Sequence, residues 1–374
     1  RDYYASRGLG DVYKRQSANN NDSIRLSLLT CAPGEEIYSL FGHTAIRYEN
    51  SSQGIDVVFN YGLFSFNTPN FIFRFSLGET DYQLGATDYE RFAAEYAFFG
   101  RSVWQQTLNL TDEEKTELIR LLQENYRPEN RVYRYNFFYD NCATRPRDKI
   151  EESIAGKVIY PAEPQDGSLT FRDIVHQYCK GHPWARFGID LCIGSEADQP
   201  ITQRQMMFAP FYLMDAFDGA QIKGDSIQRP LITANELIVD ATPEPDESDW
   251  MPTPLQCSLL LFILTAAATI YGIRRRTGLW GIDLFLFGIA GIVGCVLAFL
   301  ALFSQHPAVS SNFLLLVFHP GQLLFLPYII YCVRKGKKCW YLTLNLAVLT
   351  LFIVLFPVIP QRFDFAVVPL SLIH

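Results

Sequence analysis

No Cys-x-x-Cys pair and no His-x-x-x-His pair occurs in the chain. Those spacings are common signatures of a bound metal, so neither a metal nor another cofactor is expected. No stripe of Lys and Arg is present and the net charge is −7, which sets nucleic acid aside as a partner. Histidine is scarce: ahead of residue 255 only His43, His176 and His182 are available. Charge and apolar character are unevenly shared. From residue 255 on, eight Lys/Arg stand against two Asp/Glu, a balance of +6, and the preceding part holds 24 against 37, or −13. An acidic, aromatic-rich part therefore precedes a very apolar one, within the two or three domains that the length suggests.

Residues 1–16 resemble translated sequencing-adapter sequence, and 369–374 have the same character, so 1–24 reads as a leader that is in part non-native. On that reading a native signal peptide is lost and the last membrane segment is cut short. Leu28-Leu29-Thr30-Cys31 has the letters of a lipoprotein cleavage box, but no apolar run long enough precedes it.

Strands are expected at Arg25–Thr30, from Gly42-His43 onward and over Asp56–Gly62. In the second of these Thr44, Ile46 and Tyr48 alternate with Ala45 and Arg47. The aromatic stretches Phe71–Leu77 and Val103–Leu108 also read as strands, with a helical piece over about 88–99 between them. Thr111 followed by Glu114 is a capping-box pattern that opens a helix with the apolar stripe Leu118, Ile119, Leu121 and Leu122. Further helices are expected over Leu169–Tyr178 and 202–218. Residues 242–254, rich in Pro, Glu and Asp, read as a linker after a domain spanning 25–241.

The remainder, 255–374, reads as a transmembrane domain. Four apolar segments, about 255–273, 279–303, 313–333 and 340–359, are each long enough to span a bilayer. A fifth, truncated span begins near Phe363. Arg274–Arg276 and Arg334–Lys338 mark two cytoplasmic loops, while 304–312 carries no Lys or Arg and faces outward together with the preceding domain. His319-Pro320-Gly321 interrupts the third segment and reads as a tolerated kink.

The chain is organised around Tyr135–Asp148. An aromatic run ends in Asp140-Asn141, both good helix N-caps, and Cys142 follows at once, ahead of a helical stretch from Arg145 to Ala155. A cysteine at a helix start sits among unpaired N–H groups and the positive end of the dipole, which favours the thiolate. A cysteine nucleophile needs a base, and the base needs an orienting group. His43, at the start of a strand, is the candidate base; His176 and His182 read as structural. Asn60, Asp56 and Tyr61 are candidate orienting groups. Strand alternation keeps Asn60 and Tyr61 from both facing His43, and Asn60 is favoured because its side-chain carbonyl can fix the imidazole tautomer. Cys179 and Cys192 read equally as a disulfide or as two free thiols.

Gly42-His43-Thr44-Ala45-Ile46, Val57-Val58-Phe59-Asn60 and Asn141-Cys142 together look like the permuted papain-like cysteine enzymes, in particular their LRAT-type branch. That branch has a second histidine where Asn60 stands here, which leaves the third role open. Ser39–Arg47, Phe59–Gly62, Tyr126–Arg131, Tyr135–Asp148, Phe187–Leu191 and Ser304–Pro307 more closely resemble the Lnb family of lipoprotein N-acyltransferases from Bacteroidota. The resemblance covers nearly all of 25–368. It implies an α+β, permuted papain-like (NlpC/LRAT-like) periplasmic domain followed by an α-helical transmembrane bundle in the bacterial inner membrane. It further implies that His43 activates Cys142, that Cys142 takes an acyl chain from a phospholipid as a thioester, and that the acceptor is the N-terminal amine of a diacylated lipoprotein. Asn60 completes the catalytic set. Asn141, Tyr61 and Arg145 are the substrate-binding candidates, with Arg145 either on the lipid phosphate or paired with an acid such as Asp148. His306 in the outer loop reads as non-catalytic. Partners are the phospholipid donor, the lipoprotein acceptor and the bilayer. Two other readings stay open on the residues alone: a membrane-anchored cysteine peptidase or amidase acting on cell wall, and a non-enzymatic membrane-tethered binding module.

Overall fold

A computed structural model describes residues 23–65, 69–162, 169–224, 228–241 and 251–373. Most of the expected leader and of the linker at 242–254 lies outside these residues. The chain divides into two compact units. One runs to Leu169 and resumes at Ile201; the other joins Thr170–Pro200 to the C-terminal apolar helices.

The first unit is built on a seven-stranded antiparallel sheet. Its strands are β1 (Ile24–Cys31), β2 (His43–Asn50), β3 (Ile55–Leu63), β4 (Asp81–Asp88), β5 (Val103–Leu108), β6 (Val132–Arg134) and β10 (Ile232–Val239), in the order β10-β5-β1-β2-β3-β4-β6. A smaller sheet holds β7 (Lys157–Ile159), β8 (Gln221–Lys223) and β9 (Gln228–Pro230). The main sheet is apolar on both faces because successive side chains point to opposite sides. Leu28, Ile46, Phe59 and Tyr61 fall in one core, and Leu29, Cys31, Ala45 and Val58 in another. Helix α1 (Phe71–Leu77) links β3 to β4, α2 (Tyr89–Phe98) covers one face of the sheet, and α3 (Asp112–Tyr126) and α4 (Thr144–Ser153) cover the other. Phe92 of α2 packs into the second core, and Leu118, Leu122 and Ile150 of α3 and α4 into the first.

The α3 start is capped as expected. Thr111 accepts from the Glu114 N–H at 3.3 Å, and Glu114 accepts from the Thr111 N–H at 2.8 Å. Phe71–Leu77 is a correction: it is a helix, not a strand. Phe73, Phe75 and Leu77 do alternate with Arg74 and Ser76 as in a half-buried strand, yet the Arg74 N–H donates to the Asn70 carbonyl at 2.9 Å and closes a helical turn. Gly78 (φ 71°) ends it with its N–H turned back to the Arg74 and Phe75 carbonyls. The aromatic run before Cys142 is strand only at Val132–Arg134; a bridge between Asn136 and Asp140 then folds it into a turn.

In the second unit, Pro254–Arg275 and Trp280–Phe303 are long and apolar enough to cross a bilayer. The third expected span is broken. Phe313–Leu324 and Leu326–Lys335 meet at a 72° bend, where Pro327 opens the second helix without an N–H to donate backward. Trp340–Leu355, at 16 residues, covers about 24 Å, less than the hydrocarbon thickness. Among the described residues there are thus two such helices, or three if the bent pair is one span. Val367–Leu372 forms a further short helix.

Residues 170–200, assigned by the sequence to the first domain, hydrogen-bond to the loops of this unit. The Gly194 and Ser195 N–H groups donate to the Ala308 and Ser311 carbonyls at 2.7 and 2.9 Å. Arg172, wholly buried, is held by Asp190 (2.6 Å) and Asp198 (2.9 Å) and by the Ile193 and Gly194 carbonyls. Asp198 also accepts from Arg362 at 2.9 Å. A buried cation needs this degree of pairing to remain charged.

Candidate active site

His43 opens β2 and is the cross-strand partner of Cys31 in β1, while Ala45 pairs with Asn60 in β3. The register puts Asn60 diagonally beside His43 on the same face, and the His43 Nε2–Asn60 Oδ1 distance is 3.3 Å. A carbonyl oxygen only accepts, so Nε2 carries the hydrogen and Nδ1 keeps the lone pair. Gly42 sets the approach of this strand. Its φ is +77°, and a Cβ there would stand 2.5 Å from the Cys31 carbonyl oxygen, so no other residue fits without displacing His43. The other candidate orienting groups are engaged elsewhere. Asp56 holds Arg47 through two bonds of 2.8 and 2.6 Å, and the buried Tyr61 hydroxyl donates to Asn125 at 2.7 Å.

Cys142 lies just outside the first turn of α4. Asn141 builds that turn. Its Oδ1 accepts from the Ala143 and Thr144 N–H groups at 2.8 and 2.9 Å, and its Nδ2 donates to the Phe137 and Phe208 carbonyls at 2.8 and 2.9 Å. Every one of these bonds is spent on the protein itself, so Asn141 positions the cysteine. Asn141→Ala orphans two N–H groups and two carbonyls in a buried turn. It is expected to cost about 2–4 kcal/mol, read as a lowered thermal midpoint of the purified protein.

The Cys142 Cβ sits against Gly62, 3.5 Å from where a Cβ would project there. The Thr44 N–H and the cysteine's own N–H both point at the sulfur, which places the thiol one peptide from His43. These two N–H groups are the available oxyanion donors. The helix-start N–H groups of Ala143 and Thr144 are taken by Asn141.

The expectation of a ready thiolate is also corrected. Burial pushes the Cys142 thiol up to about 11, against the smaller opposing effects of the two N–H groups and the nearby Arg101 charge. Burial and Arg101 together hold His43 down at about 4. The resting pair is therefore neutral thiol and neutral imidazole. Iodoacetamide labelling of Cys142 is expected to be slow at pH 7, where roughly one thiol in ten thousand is ionised, and to climb without a plateau toward pH 11. A plateau below pH 7 would show a preformed ion pair.

Three residues that sequence reasoning missed complete the surroundings. Cys31, buried and pushed up to about 12, is hydrogen-bonded by Tyr96 of α2. Arg101 lies over the Tyr96 ring at 4.8 Å and donates from Nε to the Ala32 carbonyl at 2.8 Å. No ion pair with a carboxylate holds it among the described residues. Its charge acts on Cys31, His43 and Cys142 alike. Arg145 makes a two-bond pair with Asp140 (2.6 and 2.7 Å), not with Asp148, and lies over the Tyr133 ring at 3.6 Å. The guanidinium thus braces the residues on either side of Cys142. His176 binds Asp190 at 2.9 Å in the second unit, and Cys179 and Cys192 are free thiols. Among the described residues no group of three or more His, Cys, Asp or Glu side chains could hold a metal ion.

Comparison with protein families gives two matches. Residues 12–176 match the Lnb N-terminal periplasmic domain, and residues 246–374 match the Lnb transmembrane domain. Comparisons with curated proteins and with solved structures give no match. The two family matches cover most of the chain, fall in the order in which the fold presents an α/β unit and then apolar helices, and show that this chain belongs to the Lnb family, as a membrane protein with a periplasmic domain.

Proposed function

We propose that this protein is a phospholipid-dependent lipoprotein N-acyltransferase of the bacterial inner membrane, anchored by several spans, with Cys142 as nucleophile, His43 as base and Asn60 as the group that orients it. The observation that carries the reading is the Asn60-held imidazole one peptide from a thiol that receives the Thr44 N–H.

The chemistry follows from the neutral pair. As Cys142 Sγ attacks the ester carbonyl carbon of a phospholipid, its proton passes to His43 Nδ1. The tetrahedral oxyanion is met by the N–H groups of Cys142 and Thr44. The C–O bond to the glycerol breaks, the departing oxygen takes the proton back from Nδ1, and a lysophospholipid leaves. The acyl group now sits on Cys142 as a thioester. The α-amine of a diacylglyceryl-cysteine attacks it, Nδ1 takes an amine proton, the C–S bond breaks, and that proton returns the sulfur to the thiol. An amide is formed and the enzyme is regenerated. Asn60 keeps Nε2–H occupied throughout, so that Nδ1 stays the reactive nitrogen.

The site suits this role. Cys142 is half-buried, so an acyl ester can reach the sulfur, and the desolvation it does feel strengthens the two N–H contacts to the oxyanion. Both proposed substrates are lipids, which gives the attached transmembrane domain a purpose that a soluble hydrolase would not have.

The test is product analysis in vesicles holding one defined phospholipid and a synthetic diacylated lipopeptide. The proposal expects triacylated lipopeptide and lysophospholipid in equal amounts. Cleavage of a peptide bond with the phospholipid intact would establish the peptidase reading instead.

A further inference from the structure

Helix α1 is predominantly apolar: Phe71, Ile72, Phe73, Phe75 and Leu77 leave only Arg74 and Ser76 as polar residues. A short helix of that composition belongs in a protein core or in lipid, yet none of its residues is buried. Ile72 is 80% exposed, Phe73 58% and Phe75 46%. Ile37 and Tyr38, on the loop that leads into His43, are exposed beside it at 66% and 62%. Tyr38 reaches Phe64 edge-on at 6.2 Å, and Phe64 stacks on Phe71 at 5.8 Å, so loop and helix form one surface. Soluble proteins seldom leave an apolar patch of this kind in water. The one charge in the helix is neutralised locally, since Arg74 is paired with Asp81 at 2.6 Å.

The patch continues inward. Phe75 stacks on Phe71 (6.0 Å), Phe71 on Phe64 (5.8 Å), Phe64 meets Tyr82 (5.0 Å), and Tyr82 stacks on Tyr135 (4.1 Å). Tyr82 and Tyr135, the inner end of this series, stand close enough to Cys142 to interact with it. A wall of rings thus runs from the exposed helix to the thiol.

We propose that helix α1, with Ile37 and Tyr38, dips into the outer leaflet of the membrane and delivers a phospholipid acyl chain along the Phe71–Phe64–Tyr82–Tyr135 wall to Cys142. The delivery half of this inference rests on the acyl-transfer reading; the membrane contact does not. A bilayer fits better than a protein partner for two reasons. A groove on another protein would cover one face of the helix, whereas the exposed Ile72, Phe73 and Phe75 spread over about half of its circumference. The same chain also carries a transmembrane domain, so lipid is always within its reach.

The experiment uses the full-length protein in phosphatidylethanolamine/phosphatidylglycerol vesicles and has two readouts. In the first, photoreactive benzoylphenylalanine replaces Phe73 and the protein is irradiated. A mass increase of one phospholipid is expected. A covalent dimer, or no lipid adduct, would overturn the proposal whether or not the protein has acyltransferase activity. In the second, Ile72→Asp with Phe73→Asp is compared with wild type on bilayer phospholipid and on a monomerically dispersed short-chain phospholipid. Acyl transfer from the bilayer is expected to fall by about tenfold or more while that from the dispersed lipid holds. Equal loss on both, or no loss on the bilayer, would overturn the delivery role. A wild type inactive on both lipids would sink the acyl-transfer reading and the delivery half with it, and leave the crosslink to decide membrane contact.

Discussion

Cys142→Ala is expected to remove lipopeptide N-acylation, with a loss of about 10⁴-fold or more against wild type. No other thiol can take over. Cys31, the other cysteine in the same surroundings, is fully buried behind His43 and pushed up to about 12. Fold and stability are expected to change little. The change removes the sulfur that two N–H groups face and keeps the Cβ against Gly62, and the turn around it is held by Asn141, Asp140 and Arg145. Lipopeptide acylation in vesicles, with thermal unfolding as the control, separates the two effects. Wild-type activity in a well-folded Cys142→Ala protein would remove the thiol from the mechanism.

His43→Gln is expected to cost about 10²–10⁴-fold, the range for loss of a general base. Glutamine can still occupy the space beside Asn60 but cannot accept a proton. The pH profile carries the sharper prediction. Burial, and then the Arg101 charge, disfavour the imidazolium and hold His43 near 4. The base form is therefore present at all pH values well above that and is lost as pH falls through about 4. Activity is expected to stay level from pH 8 down to about 5 and then drop. An acid limb near the ordinary histidine value, between 6 and 7, would mean that the imidazole in the working enzyme is solvated and that the buried neutral pair is not the reacting form.

The β2 alternation, the Thr111–Glu114 cap and the placing of Asn60 beside His43 follow from local rules and were legible in the sequence. So was the division into an α/β part and an apolar helical part. Phe71–Leu77 was misread because aromatic side chains suit both strand and membrane-facing helix, and composition alone did not decide. The Cys142 environment was misread for a different reason. A helix start favours a thiolate, but desolvation is the stronger effect, and it is set by the fold, which brings Tyr82 of β4 to the same site as Tyr133 and Tyr135. Arg101 lies 41 residues ahead of Cys142 and carries no motif, so only the fold brings its charge to the site. Asn141 was placed as a substrate contact, yet its four bonds to the protein make it a support. The attachment of 170–200 to the apolar helices runs from Arg362 to Asp173 and Asp198 and from the Gly194 and Ser195 N–H groups to the Ala308 and Ser311 carbonyls, pairings no spacing rule announces.

The central claim is that a phospholipid acyl chain rests on Cys142 as a thioester. Intact-mass spectrometry of the full-length protein tests it most directly, after incubation with one defined phospholipid and no acceptor, beside Cys142→Ala. The account predicts a gain of one acyl chain in the wild type, released by hydroxylamine and absent from the variant. Equal acyl adducts on wild type and Cys142→Ala, or N-acylated lipopeptide formed with no adduct ever trapped on the wild type, would contradict it.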